Sequence, residues 1–324
     1  MSREIMVVND SFTNCSDANF YGRISKASEL SEESNCTVTA VCIGNFNDEL
    51  KNVFEYGADK VLLCKYDGCS HTDFCRIADK IIAESRPKMI IFPGSELGRR
   101  CAASMSVKHE MGLTAECIDI EWNGEAFIYK RAAINSSAIV QIKCVNCETE
   151  SCTVKDGVFL PNKVDTPKAE NIELFDSSGA DLELTDDIEV ISCEKKEKSV
   201  STFSKIAFGF GRGASDKETL DTIYENAAFF DAQVFGTRAV VEDELIDKEH
   251  QVGQSGISIS PDVYVALGIS GACQHVVGIK NAKKVIAVNQ DENAPIFDYA
   301  DYAVVGDAKE ITKEIKKIIE YQKQ

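Results

Sequence analysis

Short apolar segments alternate with amphipathic segments through the first half of the chain. Four runs rich in Ile, Val and Leu are continuous enough to predict strands that are buried on both faces. Between them, apolar residues recur at the spacing of a helix, and this alternation predicts a parallel sheet with right-handed crossovers. The predicted strands are Ile5–Val8, Thr37–Ile43, Lys60–Cys64 and Lys88–Phe92, and the predicted helices are Asn19–Ser34, Asp48–Tyr56, Thr72–Ser85 and Glu96–Met111.

The pattern changes after Met111, where short strand-like runs follow one another without intervening helices. Tight connections such as Trp122-Asn123-Gly124-Glu125 are typical of hairpins. We therefore expect an antiparallel extension that completes the first domain. Its predicted strands are Ala115–Trp122, Ala126–Tyr129, Ala138–Cys144 and Ser151–Val154.

A charged stretch separates the two halves of the chain. Residues 173–189 contain seven acids and no base, and Glu194-Lys195-Lys196-Glu197-Lys198 follows. A charged run with few apolar residues cannot bury itself, so we expect the domain linker at residues 194–203. The predicted domains are residues 1–193 and 204–324.

Strand and helix patterns alternate again in the second half. They predict a smaller parallel unit, so the fold class is α/β with two parallel-sheet, Rossmann-like domains. The predicted strands are Lys205–Phe208, Gln233–Phe235, Val263–Leu267, Lys284–Asn289 and Tyr302–Val305, and the predicted helices are Asp216–Phe230, Ser270–Gly278 and Ala308–Tyr321.

Composition narrows the classes of partner. The 324 residues carry 35 Lys plus Arg against 53 Asp plus Glu, a net charge of −18, which disfavours general binding to nucleic acid or to an anionic membrane surface. The cysteine count, 13, is odd, and the cysteines are scattered. No secretory leader and no apolar run long enough to span a bilayer is evident, so we expect a cytoplasmic protein with reduced cysteines.

A glycine-rich turn follows the first strand of the second half, in Gly209-Phe210-Gly211-Arg212-Gly213-Ala214-Ser215-Asp216. Glycines between a strand and a helix let the backbone approach a ligand, and the helix start attracts an anion. The spacing departs from the G-x-G-x-x-G dinucleotide fingerprint. Phosphate binding through Arg212 and a purely structural turn both stay open.

Three further small-residue segments follow strands in this half. Gly236-Thr237-Arg238 and Gln251-Val252-Gly253-Gln254-Ser255-Gly256 have the composition of ordinary surface loops as well as of binding loops. In Gly268-Ile269-Ser270-Gly271-Ala272-Cys273-Gln274-His275, Ser270 can cap a helix, and His275 is either a packed side chain or a functional one. All of these segments follow strands, and open α/β sheets bind ligands at the carboxyl ends of their strands. Their shared position therefore favours a ligand-binding site.

These segments closely resemble the electron transfer flavoprotein alpha subunit family. The resemblance rests on Thr237-Arg238-Ala239, on the two segments just quoted at 251–256 and 268–275, on Val285–Asn289 and on Asn293–Tyr302. Pro93-Gly94-Ser95 and Gly112–Cys117 match more loosely. Where the family usually has Ser-Gly-Gly-Arg-Gly, this chain has Gly209-Phe210-Gly211-Arg212-Gly213.

The resemblance implies an FAD site in the second domain. Arg212, Thr237, Ser270 and Asn289 are then expected along the pyrophosphate and ribityl chain, and Asp307 near the adenosine. Gln254 and Ser255 are expected beside the isoalloxazine, Arg238 over the ring and His275 near the carbonyl at O2, so that Arg238, Ser255 and His275 tune its redox chemistry. The full expected set is Arg212, Gly213, Thr237, Arg238, Gln251, Val252, Gly253, Gln254, Ser255, Gly268, Ser270, Gly271, Ala272, Gln274, His275, Asn289 and Asp307.

The resemblance also implies the role and the partners of the protein. It would pair with a beta subunit, accept electrons from a flavin dehydrogenase of the acyl-CoA dehydrogenase type, and pass them through an anionic semiquinone to a quinone reductase or another acceptor. The FAD domain would pivot about the linker. A stand-alone NAD(P)-dependent oxidoreductase and a non-redox AMP-binding subunit are the alternatives.

Two motifs stay open. Cys144 and Cys147, with Cys152, have a C-x2-C-x4-C spacing but lack the second pair typical of a metal or cluster site, so we expect no metal. Asp307-Ala308-Lys309-Glu310 forms a capping box for the last helix, and Asp307 is either that cap, an adenosine contact or both.

Overall fold

The computed structural model describes residues 3–12, 17–46, 48–68, 70–133, 138–176, 191 and 200–322. The chain divides into two compact units, one of residues 1–132 and 139–196 and the other of 133–138 and 197–324. Most of the expected linker, residues 194–199, and most of the acidic run before it lie outside the described residues. Among the described helices, none has both the length and the apolar character needed to span a bilayer.

The first unit is built on a nine-stranded sheet with the order β7-β6-β5-β8-β4-β1-β2-β3-β9. Apolar side chains from both faces of this sheet form two buried clusters, as continuous β-rich runs predict. Its elements are β1 (Glu4–Val8), α1 (Ala18–Ser34), β2 (Thr37–Ile43), β3 (Lys60–Cys64), α2 (His71–Ser85), β4 (Met89–Pro93), α3 (Glu96–Lys108), β5 (Gly112–Trp122), β6 (Phe127–Ala133), β7 (Ala138–Lys143), β8 (Glu150–Val154) and β9 (Ile172–Leu174).

The position of β8 corrects one prediction. The sequence pattern predicts Ser151–Val154 in the antiparallel extension, but β8 lies between β4 and β5 and pairs with both in parallel. Four of its five residues, Ser151–Val154, are buried, as expected of a central strand covered on both faces. The antiparallel part is the β5–β6 hairpin, and β9 is an edge strand that the sequence patterns did not predict.

Two predicted helices of the first unit differ in detail. The segment Asp48–Tyr56 forms a 3₁₀ helix, and α3 ends at Lys108 instead of Met111. These differences lie at element ends and short turns, where local patterns are least decisive.

The second unit is a five-stranded sheet with the order β11-β10-β12-β13-β14. Every neighbouring pair is parallel, and a buried apolar cluster covers each face. The α/β class with two parallel sheets is thereby confirmed. The elements are β10 (Ile206–Phe210), α4 (Lys217–Phe229), β11 (Gln233–Gly236), α5 (Arg238–Glu242), β12 (Val263–Leu267), α6 (Cys273–Val276), β13 (Lys284–Asn289), β14 (Tyr302–Val305) and α7 (Ala308–Gln322).

Candidate functional site

The carboxyl ends of all five strands of the second sheet lie along one edge, because the strands are parallel. The two outer strands are four strand spacings apart, about 19 Å at roughly 4.8 Å per spacing. This edge is long enough for an extended dinucleotide. The predicted site residues follow it in sheet order: Thr237 and Arg238 after β11, Arg212 and Gly213 after β10, Gly268 after β12, Asn289 at the end of β13, and Asp307 after β14.

The turns after β10 and β12 contact each other through their backbones. The amide of Gly213 donates to the carbonyl of Gly268 over 3.1 Å. Gly268 has φ +60°, and a Cβ there would lie 2.4 Å from the carbonyl carbon of Gly213. Glycine is therefore required at position 268, and the close contact leaves Gly213 and the Arg212 side chain exposed at the sheet edge.

A side chain of the protein itself caps the helix after this turn. The structure places a 3₁₀ turn at Arg212–Ala214, and α4 begins only at Lys217. The side chain of Asp216 caps α4 by accepting from the amide of Thr219 over 3.2 Å. A carboxylate therefore caps the start of α4, and phosphate binding at the glycine-rich turn before it stays a prediction.

Acidic neighbours orient both arginines of the edge. Arg212 donates from Nε and Nη2 to Asp243 over 2.8 and 3.0 Å, and this bond lowers the pKa of Asp243. Arg238 donates from Nε to Glu242 over 2.7 Å, one helical turn further along α5. Both guanidinium groups stay mostly exposed, at 64% and 71% of the side chain.

The loop of residues 251–256 packs directly on α6. The amide of Gln254 donates to the carbonyl of Gln274 over 2.7 Å. Gly253 has φ +135°, and a Cβ there would lie 2.5 Å from the same carbonyl oxygen. Val252 and Gly253 are buried, whereas the side chains of Gln254, Ser255 and Gln274 are exposed. The backbone contact thus presents these polar side chains to solvent.

Inside this loop, Gln251 orients the hydroxyl of Ser255. The amide Nε2 of the buried Gln251 donates to Ser255 Oγ over 2.7 Å. Because that bond occupies a lone pair of the oxygen, the hydroxyl hydrogen of Ser255 stays available to a ligand atom. The pairing makes Ser255 a directed donor.

His275 is a buried, neutral side chain with both ring nitrogens in hydrogen bonds. Nδ1 lies 3.2 Å from the carbonyl oxygen of Val252, and Nε2 lies 3.0 Å from the hydroxyl of Tyr264. A carbonyl only accepts, so Nδ1 carries the hydrogen and Nε2 accepts from Tyr264. Burial lowers the pKa of His275 to about 4. To donate to a ring carbonyl, as the resemblance implies, Nε2 would have to leave Tyr264 and carry the hydrogen.

The space for Tyr264 comes from a glycine on the neighbouring strand. A Cβ at Gly209 would lie 1.8 Å from the Tyr264 hydroxyl oxygen. Gly209 stands where the family usually has serine. In this chain the tyrosine hydroxyl fills that position.

The remaining predicted residues mainly hold the edge together. Asn289 Nδ2 donates to the carbonyl of Ile269 over 2.8 Å, and Asp307 accepts from the amide of Lys309 over 2.8 Å, which confirms its role as a cap. Gly271 has φ +90°, and a Cβ there would lie 2.1 Å from the amide nitrogen of Ile296. Ser270 and Ala272 are exposed.

Two local alternatives that the sequence leaves open at the edge are not what the structure shows. Ser270 does not cap α6, which begins at Cys273 after Ala272 and has no side-chain cap. Arg238 lies in the short helix α5 and not in a surface loop, and Thr237 precedes that helix without using its hydroxyl as a cap. The small-residue run delays the helix until after Gly271, whose left-handed backbone cannot be part of it.

Sequence patterns alone missed three residues of the edge: Tyr264, Asp243 and Glu242. The four-residue spacing of Arg238 and Glu242 was a usable signal for an ion pair. Nothing local marks Tyr264 or Asp243, since their partners lie on other elements.

The donor set of the edge fits a dinucleotide. The exposed guanidinium of Arg212 suits a pyrophosphate, and the guanidinium of Arg238, the hydroxyl of Ser255 and the side-chain amide of Gln254 suit a flat ring with a polar rim. The backbone contacts between glycine turns leave the exposed face of the edge free of bulky side chains at Gly213.

Comparison with known proteins agrees with this geometry. Residues 22–179 match the family described as the electron transfer flavoprotein domain, and residues 202–280 match the electron transfer flavoprotein FAD-binding domain. The chain is 33% identical to Protein FixB of Clostridium saccharobutylicum over 287 residues, 86% of this chain and 84% of the relative. It is 32% identical to the electron transfer flavoprotein subunit alpha of Clostridium acetobutylicum over 307 residues, 90% and 89% of the two chains.

A third relative carries a more specific name. The acryloyl-CoA reductase electron transfer subunit beta of Anaerotignum propionicum is 31% identical over 325 residues, 88% of this chain and 86% of the relative. The identity over most of both chains, together with the donor set along the second sheet, shows that this chain belongs to the FixB-type electron transfer flavoprotein alpha subunit family and that its cofactor is FAD.

Proposed function

We propose that the chain is the FAD-holding subunit of a heterodimer with a beta subunit. In this proposal it accepts electrons from a flavin dehydrogenase of the acyl-CoA dehydrogenase type and passes them to a quinone reductase or another acceptor. The observation that carries the proposal is the set of exposed donors along the five parallel strand ends. The name of the Anaerotignum propionicum relative, an electron transfer subunit of an acryloyl-CoA reductase, supports a redox partner that acts on an acyl-CoA.

The isoalloxazine ring of FAD supplies the electron uptake and release, and the protein supplies binding and electrostatics. Arg212 binds the pyrophosphate. Because Asp243 takes one hydrogen each from Nε and Nη2, both hydrogens of Nη1 and the second hydrogen of Nη2 are left to donate to a phosphate. Thr237, Ser270 and Asn289 line the same stretch, and Asp307 borders the adenosine while it caps α7.

Arg238 and Ser255 act at the ring. The guanidinium of Arg238 stabilises negative charge there, because its own carboxylate partner Glu242 binds through Nε and leaves the other donors exposed. Ser255 donates its hydroxyl hydrogen, held in direction by Gln251. His275 contributes by holding Val252, and with it the 251–256 loop, against α6.

The domain arrangement is part of the proposal. Residues 1–193 contact the beta subunit, and residues 204–324 carry the FAD and pivot about residues 194–203. Such a hinge would let one cofactor meet a donor and an acceptor in turn. Limited proteolysis that cuts first within 194–203 supports this arrangement, and first cuts elsewhere oppose it.

Co-purification with the beta subunit tests the function. We expect a yellow complex that oxidises a reduced acyl-CoA dehydrogenase, and Arg238→Ala is expected to change the spectrum recorded during dithionite reduction. Lys280→Ala is the matched control, since Lys280 is an exposed cation of the same unit outside the edge. A colourless complex that cannot be reconstituted with FAD contradicts the proposal, as does turnover of NADH by the isolated chain.

A further inference from the structure

A C-x2-C turn in the first unit lies outside the proposed electron-transfer site. Cys144 directly follows β7, and Cys147 precedes β8. Asn146 between them has φ +59°, a left-handed conformation that asparagine tolerates better than most residues. The chain therefore bends sharply between the two cysteines.

The bend brings the two sulfur atoms close to the same position, beside Gly112. A Cβ at Gly112 would lie 2.6 Å from Sγ of Cys144 and 3.0 Å from Sγ of Cys147. Glycine at the start of β5 thus leaves the space that both sulfurs occupy.

The two thiols are also reachable. Cys144 and Cys147 are half-buried, whereas the nearby Cys117 and Cys152 are fully buried in the core. Among the described residues no group of three or more Cys, His, Asp and Glu side chains has a metal-binding arrangement. Two accessible adjacent thiols without further ligands favour disulfide chemistry.

An acid stands beside this pair. Glu150 begins β8 and is in register with Gly112, and its Oε2 is buried without a hydrogen-bond partner in the described part of the chain. Burial raises the pKa of Glu150, and the Tyr129 hydroxyl and the charges of Lys88 and Lys143 oppose that rise. Burial, then the charge of Glu150, raises the pKa of Cys144 to about 11. Cys144 is therefore protonated at neutral pH, next to a group that can take its proton.

We propose that Cys144 and Cys147 form a reversible dithiol–disulfide pair, oxidised by a small-molecule disulfide, with Glu150 as the acceptor of the Cys144 proton. Cys147 releases its proton to water, and its thiolate attacks the small disulfide, forms a mixed disulfide and expels one small thiolate, which takes up a proton from water. Cys144 then transfers its proton to Glu150, and its sulfur attacks the Cys147 sulfur and expels the second small thiolate, which takes up the proton that Glu150 gives back. Two protein thiols lose two electrons and two protons, and one small disulfide becomes two thiols.

Oxidised glutathione is the probe for a first test on the complex with the beta subunit. After incubation, alkylation of free thiols and proteolysis, mass spectrometry is expected to show Cys144 joined to Cys147, and dithiothreitol to restore both thiols. This measurement uses the unsubstituted chain, so it does not depend on the folding of a variant. Both thiols staying alkylated under excess oxidised glutathione overturns the proposal.

Single-residue variants test the two steps, attack on the small disulfide and closure of the mixed disulfide, separately. Cys144→Ser is expected to trap glutathione on Cys147, and Cys36→Ser, a half-buried cysteine elsewhere in the unit, to leave the disulfide unchanged. Glu150→Gln is expected to slow closure of the mixed disulfide about tenfold or more. The absence of a glutathione adduct on Cys147 overturns its assignment as the attacking thiol. A closure rate that is unchanged, or higher because the loss of the Glu150 charge lowers the pKa of Cys144, overturns the role of Glu150.

Discussion

The hydroxyl of Tyr264 donates to Nε2 of His275 over 3.0 Å, and both side chains are buried in the second unit. Burial raises the pKa of Tyr264, so the hydroxyl keeps its hydrogen. His275 is consequently a neutral imidazole whose one N–H is directed to Val252. The residue that the family resemblance implies as a donor to the ring thus connects β12 with the loop of residues 251–256.

The neutral state of His275 predicts a loss of stability in acid. The pKa of His275 is about 4 in the folded chain and near 6.5 in the unfolded chain. As the pH falls from 6.5 towards 4, the unfolded state binds a proton that the folded state does not, so the free energy of unfolding falls. We expect this group alone to lower it by about 2 kcal/mol between pH 7 and pH 5, measured by urea unfolding.

Two variants isolate that contribution. His275→Gln is expected to lower the free energy of unfolding at pH 7 and to make it depend less on pH. His71→Gln, at an exposed histidine, is expected to leave the pH dependence of the free energy of unfolding unchanged. An equally steep pH dependence in His275→Gln would show that other groups cause it.

Removal of the Tyr264 hydroxyl leaves Nε2 of His275 buried without a donor. Tyr264→Phe is therefore expected to cost about 1–3 kcal/mol in the free energy of unfolding. It is also expected to raise the fraction of His275 with hydrogen on Nε2, which the ring nitrogen shifts in NMR report. Unchanged shifts would mean that Tyr264 does not set the tautomer.

Steric contact makes Gly209 the partner of Tyr264. Gly209→Ala places a methyl group against the tyrosine hydroxyl and is expected to cost about 2 kcal/mol by overpacking. The double variant with Tyr264→Phe should lose less free energy of unfolding than the sum of the losses in the two single variants. Gly306→Ala is the control, since the nearest atom to its Cβ lies 3.8 Å away. Additive effects of the pair would contradict the contact.

The bond from Gln251 to Ser255 predicts a coupled effect on cofactor binding. Gln251→Leu leaves the Ser255 hydroxyl without its fixed direction, and we expect FAD affinity to fall by about tenfold. Ser255→Ala should give a similar loss, and the double variant little more, as measured by fluorescence titration with FAD. Independent losses that multiply would show that Gln251 acts on FAD by another route.

The ion pair of Arg212 predicts a salt-dependent affinity. Arg212→Leu is expected to weaken FAD binding by about tenfold or more at low salt, and less at high salt, because an exposed cation is screened. Asp243→Asn keeps a neutral partner for Arg212 and should have a smaller effect than Arg212→Leu. Calorimetry at two salt concentrations measures both, with Lys280→Ala as the control. A loss that is equal at both salt concentrations would contradict an electrostatic role.

The local sequence pattern was sufficient to predict most of the helices and strands, and also the residue types along the strand-end edge of the second sheet. β12, β13 and β14 begin and end where the sequence patterns predict, since an apolar β-rich run between small or polar residues is a property of neighbouring residues. The same is true of the glycine segments that follow the strands, and resemblance to a family was visible in them before any coordinates.

Tertiary structure alone decided which of these residues act on one another. The central place of β8, the contact of Gly213 with Gly268, and the pairs of Tyr264 with His275 and of Glu150 with Gly112 depend on strand order and register. Those are set by packing over the whole unit, because the burial of an element depends on what covers it. Sequence thus determined the elements and the chemistry available at their ends, and the fold determined which donors are free and which are already bound.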